Sequence, residues 1–299
     1  MKKAKLIRIA TYASVLVAVL LLLLKTYAWW QTDSVSILAS LLDSGLDIAA
    51  SVMIAFAVYI AQQPADNEHR FGHGKAEPLA SLAQSVFIGG SAVYLILYSI
   101  ERLWNPQEII DIDLGLLVMS ISLLVTIVLV LFQRYVIRQT QSTAIEADSL
   151  HYLSDVLANI LIIVSLLLSA YQWLDPILAI LIGVWILYSA FGLGKKAGNQ
   201  LLDHELPETV RQQIRTIVLA TPGVQGMNDL RTYRSGPNSF VQFDLELNDH
   251  LTLVESHNIA EKVTNRLLAE FDDMDVMIHQ EPVSLRHDEA HHNWGHEIQ

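Results

Sequence analysis

The stretch ILASLLDSGLDIAASVMI (residues 37–54) is apolar or small almost throughout, yet it carries two acids, Asp43 and Asp47, four residues apart. Four residues is close to one helical turn, so both carboxylates project from one face of a helix otherwise suited to lipid. A second stretch repeats the device: in EADSLHYLSDVLANI (residues 146–160), His151 and Asp155 stand at the same spacing. Counted from Ser34 and from Ser142, each pair lies 9 and 13 residues into its apolar run. At about 1.5 Å per residue, both pairs fall near the middle of a hydrocarbon core about 30 Å thick.

Outward from these pairs, six apolar stretches of spanning length are expected at residues 7–29, 34–61, 78–103, 114–133, 143–171 and 175–193. The first lacks a small-residue cleavage site and is too long for a removed signal peptide, so it counts as a helix. Lys2, Lys3, Lys5 and Arg8, Arg70 and Lys75, Arg134 and Arg138, and Lys195 and Lys196 all fall on one side of this topology. Asp33, Glu108, Asp111, Asp113 and Asp175 fall on the other. Basic residues stay cytoplasmic, so both termini are expected there, as in a multi-pass membrane protein.

Spans two and five then run antiparallel, and their pairs can meet as four ligands, Asp43 opposite Asp155 and Asp47 opposite His151. A carboxylate at that depth costs several kcal/mol, by contested estimates from about 2.5 upward, and three together repel one another. A divalent cation removes both problems. One imidazole nitrogen and three carboxylate oxygens close a tetrahedron, which suits Zn²⁺. The plainer alternative is that single acids line a wet crevice or pair with Lys25 or Arg134. Two matched pairs in different spans argue against that.

The 299-residue chain, 52% hydrophobic, divides into a membrane part (1–203), a soluble part (204–285) and a His-rich tail (286–299) expected to be disordered. The net charge of −12 is concentrated in residues 203–299, which hold 17 acids against 7 bases, so no nucleic acid partner is expected. There is no cysteine, which leaves His and carboxylate as the available metal ligands. In the soluble part, amphipathic helices at 206–223 and 251–271 flank two β-rich runs within 224–248, joined at Ser-Gly-Pro-Asn, and VMIHQEP (276–282) reads as a last strand. The order αββαβ predicts two helices on a small sheet, an α+β, ferredoxin-like layer.

Two further ligand arrays stand out. Asp66, His69 and His73 form a D-x₂-H-x₃-H array in the cytoplasmic loop QQPADNEHRFGHGKAE (62–77). His279 and Glu281 alternate on the last strand, and they converge with His257 if the second helix packs over their face. His287, His291, His292 and His296 in the tail read as a weak metal collector.

SVSILASLLDSGLD, RFGHGKAEPLASLAQS, ADSLHYLSDVLAN and DLRTYRSGPNSFVQFDLEL resemble the cation diffusion facilitator family, most closely its bacterial YiiP-like zinc and ferrous-iron efflux branch. The resemblance implies a homodimer of six-helix subunits with metallochaperone-like cytoplasmic domains, exporting metal in exchange for protons by alternating access. It places the transport site on Asp43, Asp47, His151 and Asp155, a loop site on Asp66, His69 and His73, and a salt-bridged hinge on Lys75 and Asp203. In the cytoplasmic site the chain departs from the pattern. Asn228 and Asp244 stand where close relatives place His, and Glu281 where they place Asp, so a single-metal site of His257, His279 and Glu281 is expected. Zn²⁺ is the expected cargo, with Fe²⁺, Cd²⁺ and Co²⁺ as alternatives and a membrane-anchored metal sensor as a reading of another class. The sequence contains no HExxH, and nothing else in it marks an intramembrane enzyme.

Overall fold

The computed structural model describes residues 2–32, 35–104, 113–167, 173–271 and 273–284. The chain divides into two units, Met1–Leu201 and Leu202–Gln299.

The first unit holds six long helices: α1 (Lys2–Thr32), α2 (Val35–Ala61), α3 (Ala76–Trp104), α4 (Asp113–Thr140), α5 (Thr143–Leu167) and α6 (Leu174–Leu201). Among the described residues, five of them are long and apolar enough to cross a membrane. The sixth, α5, carries Glu146, Asp148 and Asp155 within it. Two helices outrun the expected spans, α4 continuing to Thr140 and α6 to Leu201. Apolar content ends where lipid ends, but the hydrogen-bond ladder of a helix continues until something stops it. For α4 the stop is Gln141, at a φ of 54°, whose N–H reaches Ile137 O at 2.7 Å.

Large apolar side chains such as Leu16, Phe56, Tyr94 and Tyr188 stand exposed on this unit, the arrangement that lipid as solvent requires. Serine and threonine hydroxyls inside the helices bond back to carbonyls of the preceding turn, as Ser14 does to Ala10 and Thr126 to Ser122. Small residues let α3 and α6 approach closely. A Cβ on Gly183 would lie 2.7 Å from Ile96 Cγ1, and one on Gly194 2.8 Å from Ser85 Oγ.

The second unit has the expected order: α7 (Glu208–Leu219), β1 (Gly226–Ser235), β2 (Asn238–Leu247), α8 (Leu253–Glu270) and β3 (Met274–Pro282). Gly236, at a φ of 58°, opens the two-residue turn between β1 and β2, a position that favours glycine. The strands lie in the order β1-β2-β3, with β1 and β2 antiparallel and β2 and β3 parallel. A parallel neighbour needs a crossover, and α8 supplies it. Its start is fixed by a capping box: Thr252 Oγ1 accepts from Glu255 N at 3.3 Å, and Glu255 Oε2 accepts from Thr252 N at 2.8 Å. Ile214 and Val218 of α7, Val263 and Leu267 of α8, and Phe243 and Leu245 of β2 form the buried core.

Candidate metal centre

Asp47 of α2 and His151 of α5 meet in the interior of the first unit, each 8% exposed. His151 Nε2 lies 3.0 Å from Asp47 Oδ1 and 4.0 Å from Asp155 Oδ2. One ligand atom from each of the three residues falls within 4.8 Å of the others. A tetrahedral ion with bonds of about 2.05 Å sets its ligand atoms about 3.3 Å apart, so sub-ångström to ångström movements close this set on a metal. Asp43 lies on α2 one turn before Asp47, and its side chain falls outside the described residues.

The loop array also gathers. Asp66 Oδ1 lies 3.3 Å from His69 Nδ1, Asp66 Oδ2 lies 3.4 Å from His73 Nε2, and the two imidazole rings are 4.4 Å apart between centroids. The carboxylate is oriented by the chain itself: Asp66 Oδ1 accepts the backbone N–H of His69 at 2.6 Å and of Glu68 at 2.9 Å. The His69 N–H is foremost in holding the Asp66 carboxyl below its usual range, which favours its ionised form. Gly72, at a φ of 77°, turns the chain back so that His73 faces Asp66.

The third expected set does not converge within the chain. Met274, Val276 and Ile278 of β3 face the core that α8 covers, so His279 and Glu281, of the opposite parity, face the other way. His257 is exposed on α8, on the far side of the sheet. The convergence of His257, His279 and Glu281 under α8 is therefore corrected by the pleat of β3. His279 Nδ1 instead lies 3.2 Å from Asp244 Oδ1, its register partner on β2, with Asn228 of β1 next in the same row. The tail histidines, His287, His291, His292 and His296, lie outside the described residues.

Among the described residues of the first unit, two buried acids lie outside the ligand sets. Glu77, at the start of α3, accepts hydrogen bonds from the Ser142 hydroxyl and, at 3.4 Å, from the N–H of Ala144, so it caps α5. Asp148, fully buried three residues before His151, accepts from Gln133 Nε2 at 2.8 Å. The signal for Asp148 is present in the sequence, as a third acid in the stretch that carries His151 and Asp155.

The family models agree with this division. Residues 11–202 match the cation efflux transmembrane domain, and residues 206–283 match the cytoplasmic domain of cation efflux proteins. A protein of Salmonella arizonae called cation-efflux pump FieF is 50% identical over 283 residues, covering 94% of each chain. The protein of that name from Citrobacter koseri gives the same figures, and the one from Yersinia enterocolitica is 48% identical over 293 residues, covering 97% of this chain and 98% of its own. With both of its units matched and half of its residues shared with these pumps, the chain belongs to the cation diffusion facilitator family of transporters, in its YiiP-like branch.

Proposed function

We propose that the protein exports divalent metal cations, chiefly Zn²⁺, across the bacterial inner membrane in exchange for protons, working as a homodimer with both termini in the cytoplasm. The observation that carries the reading is the cluster of buried Asp47 and His151 with half-buried Asp155 on two antiparallel helices of a lipid-facing unit. Asp43, one turn from Asp47, completes the ligand set. Imidazole and carboxylate together suit Zn²⁺, and they also accept Fe²⁺, Cd²⁺ and Co²⁺, which are the alternative cargoes.

The donor set supports coupling to protons. Only neutral imidazole and ionised carboxylate bind metal, so metal and protons compete for the same atoms. Histidine, with a reference value of about 6.5, exchanges its proton in the range where cells hold their pH. In the proposed cycle, metal loads from the cytoplasm, the site opens outward, protons displace the ion, and the protonated site returns. The loop set of Asp66, His69 and His73, and the His279 and Asp244 pair, lie outside the apolar helices and act in stability or regulation. His257 and Glu281 remain candidate ligands of the cytoplasmic unit only through groups outside this one chain.

The test is uptake into proteoliposomes from a panel of Zn²⁺, Fe²⁺, Cd²⁺ and Co²⁺ with an imposed pH gradient. Uptake that follows the gradient and collapses with a protonophore is the expected result. Metal binding with no flux of any of the four ions overturns the reading in favour of a membrane-anchored sensor.

A further inference from the structure

Next to the Asp47 and His151 contact lies a second polar layer that supplies no ligand. Ser51 follows Asp47 by one turn of α2, and Asp148 precedes His151 by one turn of α5. The helices are antiparallel, so both residues lie on the same side of the ligand set, about 5 Å from it along the helix axes. Asp148 Oδ2 accepts from Gln133 Nε2 of α4 at 2.8 Å, and that same nitrogen donates to Ser14 Oγ of α1 at 2.9 Å. Ser51 Oγ lies 2.8 Å from the Tyr152 hydroxyl and 3.4 Å from Asp148 Oδ1, and the Tyr152 hydroxyl lies 3.2 Å from Ser14 O, so two hydroxyl protons serve three contacts. Four helices are thereby joined through five side chains, each no more than 1% exposed.

Apolar side chains would fill this space without the cost of burying a carboxylate. Gln133 carries a further cost, since its Oε1 is buried with no hydrogen-bond partner while its nitrogen donates to Ser14 and Asp148. What the arrangement provides is a fixed separation of α2 and α5, the two helices that carry the ligands. The Tyr152 ring, next to His151 in sequence, lies 5.6 Å from the imidazole between centroids and so is held by the same layer.

We infer that Gln133, Asp148 and Ser51 are positioning residues for metal binding: they hold α2 and α5 at the spacing at which Asp47, His151 and Asp155 close on one ion. This rests on the reading of that cluster as the transport site. Ligand atoms now 3.0 to 4.0 Å apart need to reach tetrahedral spacing, so a loosened pair of helices leaves one ligand out of reach. Groups that orient metal ligands without touching the ion typically change affinity by about 10- to 100-fold.

The decisive variant is Gln133→Met, because α4 contributes no residue to the ligand set. In full-length protein reconstituted in vesicles, Gln133→Met and the milder Ser51→Ala should raise the KM for Zn²⁺ about 10- to 100-fold while the maximal rate changes much less. The visible absorption of bound Co²⁺, recorded in a His73→Ala, His279→Ala background that removes other binding positions, should shift or weaken in both variants. A purely structural role would lower the melting temperature but leave KM and the Co²⁺ spectrum unchanged, and that result in folded Ser51→Ala and Gln133→Met overturns the inference. If the background protein shows no Co²⁺ band that Asp155→Asn removes, the transport-site reading fails and this inference with it.

Discussion

Replacing Asp47 by Asn keeps the shape of the side chain and removes one negative charge from the centre of the proposed site. Asp47 is 8% exposed, and its Oδ1 is 3.0 Å from His151 Nε2, so water cannot readily stand in for the lost charge. Breaking one partner out of a buried charge pair costs about 3–5 kcal/mol. At about 1.4 kcal/mol for each tenfold change, Zn²⁺ affinity falls by roughly two to three and a half powers of ten. Asp155→Asn belongs at the low end of that range, because the Asp155 side chain is 32% exposed and its oxygen is 4.0 Å from the same imidazole nitrogen. The assay is the initial rate of Zn²⁺ uptake against concentration in proteoliposomes, with folding checked by size-exclusion chromatography. A folded Asp47→Asn protein with a KM within twofold of wild type would refute the reasoning, because it would mean that the ion never meets this carboxylate.

The loop set lies outside the apolar helices, so His73→Ala should reduce uptake severalfold without abolishing it; complete loss in a folded protein would put the loop on the path of the ion. In the fragment 206–282, about one Zn²⁺ should bind tightly and raise stability by about 2.7 kcal/mol at a hundredfold excess over Kd. His279→Ala and Asp244→Ala should each remove that rise in melting temperature, and calorimetry finding two tight ions per chain would rule out a single site. Gly183→Ala forces a methyl to 2.7 Å from Ile96 Cγ1, whereas Gly90→Ala meets nothing within 4 Å. Overpacking of about 1–3 kcal/mol should lower the melting temperature of the first variant only, and equal melting temperatures would mean that α3 and α6 do not pack through Gly183.

Much of this molecule is legible in its sequence where the signal is local and periodic. Asp47, His151 and Asp155 stand out because acids at helical spacing are conspicuous in apolar spans, and the Asp66, His69 and His73 array is short enough for a single turn of chain to gather it. The failure on β3 has a physical cause. Period two places His279 and Glu281 on one face but does not say which face the helix covers; the residues that decide it are Val276 and Ile278, the more apolar parity of the strand. Asp148 is harder to read, since its meaning comes from Ser51, 97 residues away, and from Gln133 on a helix with no ligand. Helix ends at Thr140 and Leu201 are missed because hydropathy reports lipid and not backbone hydrogen bonding.

The contacts of α5 also differ in what it costs to break them, and that difference bears on how a site between α2 and α5 can open. Along its first turns α5 is tied to α3 through Glu77, to α1, α2 and α4 through Asp148 and Tyr152, and to α6 through Glu146 and Thr143. The ties through Glu77 and Asp148 are buried, and parting them strands a carboxylate away from water. The tie to α6 is of another kind. Glu146 and Lys196 form an ion pair whose side chains are 35% and 45% exposed, and Thr143 donates to Gln200 at a long 3.3 Å. An exposed ion pair contributes about 0–1 kcal/mol, and water replaces both partners when it parts. Of these polar ties the one to α6 therefore parts at the least cost, while those through Asp148 and Ser51 hold α2 and α5 together.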